Sequence, residues 1–325
     1  MRQKLPFRFA RIPGMPTTAS HRRRTPLALA VLTLASVACA PGNEVARQLR
    51  IACNDGNPQA CASYASRLQK GEYTLRDLPR AAVLYDTACT GGIGQGCTSL
   101  GAMLQKGRDA GVKTDSARAA KLFERGCELR SMEGCARLGV LYQAGAQVPR
   151  DLARAASLYR QACDGGDMLG CARLGLLYAD SSAIGQDFTK AATLFKQSCD
   201  AKVAIGCVGL GRLHAAGTGV PKNDSIAVAL FRKSCGNREN AGCLDLAMTY
   251  EAGRGVPQNY QRAANLYREA CEDHEAVACA RIAAMYEKGA GVYRDTTRAK
   301  EFRRKACRAG DTLSCEQPKP AGART

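Results

Sequence analysis

Sixteen of the chain's 17 cysteines fall into eight pairs, each with seven residues between its two members. The pairs are Cys53/Cys61, Cys89/Cys97, Cys127/Cys135, Cys163/Cys171, Cys199/Cys207, Cys235/Cys243, Cys271/Cys279 and Cys307/Cys315. From pair to pair the first cysteines lie 36, 38, 36, 36, 36, 36 and 36 residues apart. Such cysteines can form disulfides or bind a metal. Zinc sites favour cysteines about two to four residues apart with further ligands nearby, whereas this chain has no C-x-x-C and only three histidines. The pattern therefore predicts eight disulfides and an oxidising compartment.

A disulfide between residues i and i+8 requires the chain to reverse direction between the two cysteines. In one straight helix, eight residues would separate the Cα atoms by about 12 Å, and a disulfide needs less than about 7 Å. Segments such as "TGGIGQG" (residues 90–96) and "DGGDMLG" (residues 164–170) supply turn residues. Each bridge is therefore predicted to join the last turn of one helix to the first turn of the next.

The cysteine register divides most of the chain into repeated units. Seven units follow the half-unit "NEVARQLRIAC" (residues 43–53), at 61–96, 97–134, 135–170, 171–206, 207–242, 243–278 and 279–314. Each unit carries two helical patterns, as in "CARLGVLYQAG" (135–145) and "DLARAASLYRQACDGG" (151–166). Proline marks the entry to the second helix at Pro149, Pro221 and Pro257. The sequence thus predicts an all-α fold in which units bury their apolar faces by stacking on neighbours.

The N-terminus predicts export. Arg22 to Arg24 precede an apolar stretch, Leu27 to Val37, that is too short to span a membrane stably. "SVAC" resembles a bacterial lipobox with Cys39 as the lipidated residue, although Ser36 stands where Leu is usual. An ordinary secretory signal cleaved before Cys39 is the alternative, and Met15 is an alternative start to Met1.

Four segments follow from these patterns. Residues 1–38 are predicted to be a lipoprotein-type signal peptide, 39–52 an N-terminal linker and half-repeat, 53–315 the repeat solenoid, and 316–325 a disordered C-terminal tail. The predicted location is the periplasm or the outer membrane as a lipoprotein, with free secretion as the other possibility.

The chain is basic, with 47 Lys and Arg against 29 Asp and Glu. Residues 1–38 hold seven Lys or Arg and no Asp or Glu, so without them the net charge falls from +18 to +11. The remaining charges are spread through every unit, which is typical of solvated helix faces. Because aromatic residues do not interleave with them, a nucleic-acid partner is not predicted.

"LGVLYQAGAQVPRDLARAASLYRQAC" (138–163) and "LGRLHAAGTGVPKNDSIAVALFRKSC" (210–235) resemble Sel1-like repeats, relatives of the tetratricopeptide class. A C-x7-C in every unit is the mark of the cysteine-rich, Hcp-type bacterial branch. The resemblance covers about 44–315. It implies a right-handed α/α-solenoid of seven helix-turn-helix repeats of about 36 residues, with one disulfide between successive units.

The resemblance implies a protein-binding scaffold, and members of this branch are also described as β-lactamases or penicillin-binding proteins. The residues that β-lactam hydrolysis needs are missing from the sequence. No serine has a lysine three residues later, and Lys113 to Asp115 read K-T-D rather than K-T-G. His214 and His274 lie in different units, the first expected to pack on a helix and the second to be exposed in a turn. No catalytic residue, metal ligand or cofactor is therefore predicted.

One set of positions predicts a binding face. The residue two places after each unit's opening cysteine is Ser63, Ser99, Arg137, Arg173, Gly209, Asp245 and Arg281. Stacked first helices would align these side chains on the concave surface, and Arg137 next to Arg173 suits a carboxylate or phosphate. The alternative is that they are exposed solubilising residues. Four of them, Arg137, Arg173, Asp245 and Arg281, are taken as the candidate groove.

The predicted function is that of an exported scaffold that binds a protein or peptide partner along a concave groove. A β-lactamase or penicillin-binding activity is the alternative, and a role as a cell-envelope component without a small ligand is a third reading. The membrane is predicted to be reached only through a lipid anchor.

Overall fold

The computed structural model of the protein describes residues 42–180, 184–236 and 242–315. Over these residues the chain forms fifteen α-helices and no β-strand. The helices are α1 Gly42–Asn54, α2 Pro58–Lys70, α3 Leu78–Thr90, α4 Gly94–Lys106, α5 Ser116–Glu128, α6 Met132–Ala144, α7 Leu152–Asp164, α8 Met168–Ala179, α9 Phe188–Asp200, α10 Ala204–Ala216, α11 Asp224–Cys235, α12 Cys243–Ala252, α13 Tyr260–Glu272, α14 Ala276–Lys288 and α15 Thr296–Arg308. None of these helices is long and apolar enough to cross a membrane.

The helices form seven hairpins, from α2/α3 to α14/α15, that follow the single helix α1. In each hairpin the first helix packs against the second, and the second packs against the first helix of the next unit. Since each unit contacts its neighbours along the chain, the hairpins stack in sequence order. The all-α solenoid of seven units predicted from the cysteine register is confirmed.

Asp and Asn residues fix where the second helices begin. The side chain of Asp151, for example, accepts a hydrogen bond from the Arg154 amide at 2.8 Å, and such a cap contributes about 1 kcal/mol. The equivalent caps are Asp77, Asp115, Asp187, Asn223, Asn259 and Asp295. Pro149 lies two residues before Asp151, outside the helix, so the expectation that proline marks the helix entry is corrected. The cap does so.

The disulfides join the helices as predicted. Cys163 lies in the last turn of α7 and Cys171 in the first turn of α8, and their Cα atoms are 4.6 Å apart. All eight i to i+8 pairs are bonded, with Cα separations from 4.5 to 4.8 Å. α8 starts at Met168, three residues before Cys171, and five other first helices begin equally early, whereas α12 begins at Cys243 itself. Six of the seven units therefore begin slightly earlier than the cysteine frame placed them. Eight bridges indicate an oxidising, exported environment.

The second cysteine of each inner bridge belongs to the hydrophobic core. The sequence predicted all sixteen cysteines as disulfide-bonded, and the structure adds which of their sulfurs are buried. Cys135, for example, packs with the buried Ala136 and Ala162. A sulfur that no solvent reaches cannot contact a ligand or partner, so these residues act only through packing and the covalent link. The fully buried ones, each 0% exposed, are Cys61, Cys97, Cys135, Cys243 and Cys279.

The turn between disulfide-linked helices uses one left-handed residue. In the turn after α7 this residue is Gly166, with φ of 92°, and the Asp167 amide bonds back to the Ala162 carbonyl at 2.9 Å. Glycine was predicted to provide this turn. Three equivalent positions instead hold Arg130, Lys202 and His274, with φ of 59°, 65° and 66°. These three residues adopt a left-handed backbone conformation that costs roughly 1–2 kcal/mol for any residue other than glycine.

The core of each unit pairs small residues with one large ring. Tyr159 of α7 and Ala155 are both 0% exposed. A Cβ atom added to Gly139 of α6 would lie only 2.7 Å from the Tyr159 ring. The glycine therefore permits the two helices of the hairpin to approach each other around the ring, which is why an aromatic-poor sequence still packs tightly.

The last unit closes the stack. Its second helix carries Lys300 and Arg303 at the positions that α7 fills with buried Ala156 and Tyr159. Lys300 is exposed and Arg303 is partly exposed. A face that stacks on a following unit in the other hairpins is thus charged in α15, as expected of a terminal capping repeat.

Candidate functional site

The side of the stack formed by the first helices of the hairpins is here called the inner face, and its helices are α2, α4, α6, α8, α10, α12 and α14. In the middle of the solenoid, first helices of neighbouring units also contact each other directly, as α4 with α6, α6 with α8, and α8 with α10. Residues at the same position of successive units therefore lie beside one another on this face.

A cleft of about 650 Å³ opens on the inner face between α4, α6 and α8. It is lined by Gln95, Gln105, Met132, Glu133, Ala136, Arg137, Val140, Gly165, Gly166, Asp167, Leu169 and Arg173. Two of the four predicted groove residues, Arg137 and Arg173, are thus brought to one cleft.

Arg137 is held by neighbours on both sides. Its Nη2 atom lies 2.7 Å from Glu133 Oε1, one helical turn earlier, and its guanidinium stands 5.8 Å from the ring centre of Phe123. Gln95 Nε2 donates to the other Glu133 oxygen at 3.1 Å. Burial opposes ionisation of Glu133, but the hydrogen bonds from Gln95 and Arg137 and the charge of Arg137 outweigh it and lower the pKa of the carboxyl. The pair is a fixed part of the cleft wall.

Arg173 is held less tightly. It is half-buried beside the Tyr159 hydroxyl, and it forms no ion pair with any residue in the described parts of the chain. That hydroxyl donates to Gln143 Oε1 at 2.8 Å. Burial raises the pKa of Tyr159 to about 12, although the charge of Arg173 and its hydrogen bond to the Tyr159 hydroxyl both act in the opposite direction. The guanidinium of Arg173 therefore keeps donors that face the cleft.

The other two predicted groove residues are engaged elsewhere, which corrects the expectation of one open column. Asp245 is only 6% exposed, because Arg212 of the preceding unit binds its carboxylate through Nε and Nη2 at 3.0 and 2.8 Å. Arg281 lies 3.7 Å from Glu251. At Gly209, an added Cβ would meet the Phe195 ring at 2.6 Å. Beyond unit 4, the column consists of ion pairs and a packing contact.

A second set of equivalent positions, on the first helices, contacts the large rings of the second helices and was not predicted from the sequence. The residue eight places after the opening cysteine meets the large ring of its own second helix, 16 residues further on in most units. Tyr85, Tyr159 and Tyr267 donate their hydroxyls to Gln69, Gln143 and Glu251. Where that position is Ala179 or Ala215, the ring is Phe195 or Phe231. In these five units the matching of Tyr to Gln or Glu, and of Phe to Ala, is visible in the sequence.

The described residues contain no recognisable catalytic group or free metal site. The one cluster with metal-ligand spacing is Cys235, Cys243 and Glu269, and its two cysteines are bonded to each other. His214 Nδ1 lies 3.1 Å from the Pro221 carbonyl oxygen, and His274 is exposed. Cys39 and the segment predicted to be a signal peptide, residues 1–38, lie outside the described residues.

A stack of disulfide-linked helical hairpins with an open inner face defines an α-solenoid of the repeat class. Seven segments match the Sel1 repeat model, at residues 58–93, 94–131, 133–167, 169–203, 204–237, 240–274 and 276–311. The chain belongs to the Sel1 repeat family. The matched segments begin close to the first helices, in agreement with the corrected unit boundaries.

Solved structures share this fold. The protein c5321 of uropathogenic Escherichia coli, a protective antigen with an SLR fold, is 25% identical with a TM-score of 0.61, over 83% of this chain and 57% of that one. The present chain therefore spans little more than half of its length. A Sel1 repeat protein from Oxalobacter formigenes is 21% identical with a TM-score of 0.60, over 83% of this chain and 78% of its own. No curated protein matches the chain.

Proposed function

We propose that the protein is an exported scaffold that binds a peptide or protein segment along its inner face. The observation that supports this most is the cleft of about 650 Å³ between α4, α6 and α8. It combines exposed aliphatic surface with polar side chains, and the stacked units extend it into a long surface of the kind that solenoids use for peptides and proteins. The partner is a protein or peptide of the cell envelope.

Lipidation of Cys39 would hold the scaffold at the periplasmic side of a membrane, and this anchor is part of the same proposal. An ordinary secretory signal would release it. β-Lactam hydrolysis gains no support, because no serine in the described segments is hydrogen bonded to a lysine or histidine side chain.

Site-specific photocrosslinking tests the proposal. A photoreactive phenylalanine analogue would replace Leu169, which lines the cleft and is 38% exposed, or Val83, which is 66% exposed on a second helix. We expect a discrete crosslinked adduct in the producing cells from position 169 and none from position 83. Equal labelling at the two positions, or none at position 169, would contradict binding along the inner face.

A further inference from the structure

We propose that the cleft between α4, α6 and α8 is a subsite for a carboxylate that neighbours an aliphatic side chain, with Arg173 as its anion-binding group. This inference rests on the scaffold function proposed above and specifies the chemistry of the segment that the scaffold binds. It also places the recognition in units 2 to 4 rather than along the whole solenoid.

Three arginines of the C-terminal units are paired with carboxylates within the protein. The pairs are Arg212 with Asp245 at 2.8 Å, Arg281 with Glu251 at 3.7 Å and, between the two helices of the last unit, Arg303 with Glu287 at 2.7 Å. A charged partner would have to displace one of these pairs to bind there. These three arginines are therefore less available to an anion than Arg173.

In the cleft, the acidic groups also accept hydrogen bonds from neighbouring residues, whereas Arg173 has the Tyr159 hydroxyl beside it and no carboxylate bound to it. Glu133 is bound by Arg137 and Gln95. Asp167 accepts hydrogen bonds from the Leu169 and Gly170 amides, at 2.9 and 3.2 Å. Asp167 and Arg173 are the two charged side chains of the cleft without an ionic partner among the residues described, and of these Arg173 is the cation. It is half-buried, where a charge-assisted hydrogen bond is stronger than in open water.

The lining of the cleft indicates what accompanies the anion. Met132, Val140 and Leu169 give it an apolar wall, which gains about 25 cal/mol per Å² when covered by an aliphatic side chain. Gln95 and Gln105 offer amide donors and acceptors to the backbone of an extended segment. Two carboxylates, Glu133 and Asp167, border the same space. They repel a dianionic phosphate more strongly than a carboxylate, so an Asp, a Glu or a C-terminal carboxylate is the ligand group.

The test uses the full mature chain with its disulfides formed. A phage-displayed library of random dodecapeptides is selected on the protein, and a winning peptide is synthesised with a fluorophore for affinity measurement. We expect selected peptides to contain Asp or Glu next to Leu, Ile or Val, or to end on such a residue. Arg173→Gln should weaken binding about ten- to a hundredfold, as for loss of a charge-assisted hydrogen bond.

Arg281→Gln is the matched control, because it is the same substitution at the same position of unit 7 and should change the affinity less than twofold. Replacing Asp or Glu of the peptide by Asn or Gln, or amidating its C-terminus, identifies which carboxylate binds, because that change should lower the affinity for the native protein. The same change should not lower the affinity for Arg173→Gln. If the selected peptides bind Arg173→Gln as tightly as the native protein, or if they lack a carboxylate, the subsite proposal is wrong while the scaffold function remains in place. If no peptide is selected, both proposals are wrong.

Discussion

Arg212 and Asp245 form a bidentate ion pair between α10 and α12, which belong to neighbouring units. The Nε to Oδ1 and Nη2 to Oδ2 distances are 3.0 and 2.8 Å. The hydrogen bond that Arg212 donates to the Asp245 carboxylate raises the pKa of Arg212, although burial acts against it. Since the Asp245 side chain is 7% exposed and that of Arg212 is 59% exposed, a buried anion is neutralised from the solvent side. The pair links units that the Cys235–Cys243 disulfide also joins.

Removing the arginine should therefore destabilise the protein. Arg212→Gln leaves the Asp245 carboxylate buried without its cation, and we expect a loss of about 2 kcal/mol in the free energy of unfolding. This is less than the roughly 3–5 kcal/mol for a fully buried pair, because water can reach the vacated side. Urea unfolding followed by circular dichroism measures it. Arg281→Gln, which breaks an exposed contact of 3.7 Å, should cost less than about 0.5 kcal/mol. Equal losses in the two variants would contradict the assigned difference in burial.

A second prediction concerns the match between each second-helix ring and its first-helix neighbour, as in Tyr159 with Gln143 and Phe195 with Ala179. Phe195→Tyr places a hydroxyl opposite Ala179, where unit 3 has Gln143, and should destabilise the chain by about 1–3 kcal/mol because the hydroxyl lacks a partner. Adding Ala179→Gln to Phe195→Tyr recreates the Tyr159–Gln143 bond and should recover most of that loss. Thermal unfolding of the single and double variants measures the coupling. Additive effects would show that Tyr and Gln do not act as a pair.

The sequence was sufficient for the fold because its strongest signals are local. The register of Cys163 and Cys171 requires a reversal within eight residues, and apolar spacing such as Leu138, Leu141 and Tyr142 indicates a helix directly. Both features depend only on neighbours along the chain, so the hairpins and the bridges could be derived without a structure.

The site was predicted only in part, because its pairings cross between units. Arg137 and Arg173 were identified by their equal position, and stacking brought them to one cleft. Asp245 occupies the same position, but its state depends on Arg212, which lies 33 residues earlier at a different place in its unit. Equal register predicts which residues are neighbours, whereas the choice of ion-pair partner depends on side-chain reach.

The left-handed turn residues give a third prediction. Lys202 has φ of 65°, and the equivalent Gly166 has φ of 92° with no atom within 4 Å of an added Cβ. Lys202→Gly should therefore stabilise the protein by about 1 kcal/mol through relief of backbone strain alone. The reverse change, Gly166→Lys, should destabilise it by a similar amount. Urea midpoints of the two variants should move in opposite directions, and a shift of the same sign would contradict the argument.

Glu133 predicts a pH dependence. Its pKa is lowered in the folded state, so its contribution to stability is fully present above the unfolded-state pKa of about 4.3. That contribution is lost as the pH falls through the folded pKa, because the protonated group gives up its bonds to Arg137 and Gln95. The difference in unfolding free energy between the native chain and Glu133→Gln should shrink between about pH 6 and about pH 3. A constant difference over this range would mean that the ionised form is not favoured by folding.

The last bridge should be the first to open. Cys315 is exposed and follows a short 3₁₀ turn, Thr312–Ser314, with no further hairpin packed on it among the described residues. Cys199 and Cys207 are 2% and 1% exposed between two hairpins. Brief treatment with a low concentration of reductant, followed by alkylation and peptide mass spectrometry, should label Cys307 and Cys315 before the inner pairs, and the untreated chain should show only i to i+8 linkages.

Each bridge closes a loop of about nine residues, worth roughly 2.5 kcal/mol in the chain-entropy model. Replacing Cys199 and Cys207 together by Ser should lower the Tm more than the same change at Cys307 and Cys315, because only the inner pair holds two stacked units together. A larger loss from the terminal pair would contradict this difference between inner and terminal bridges.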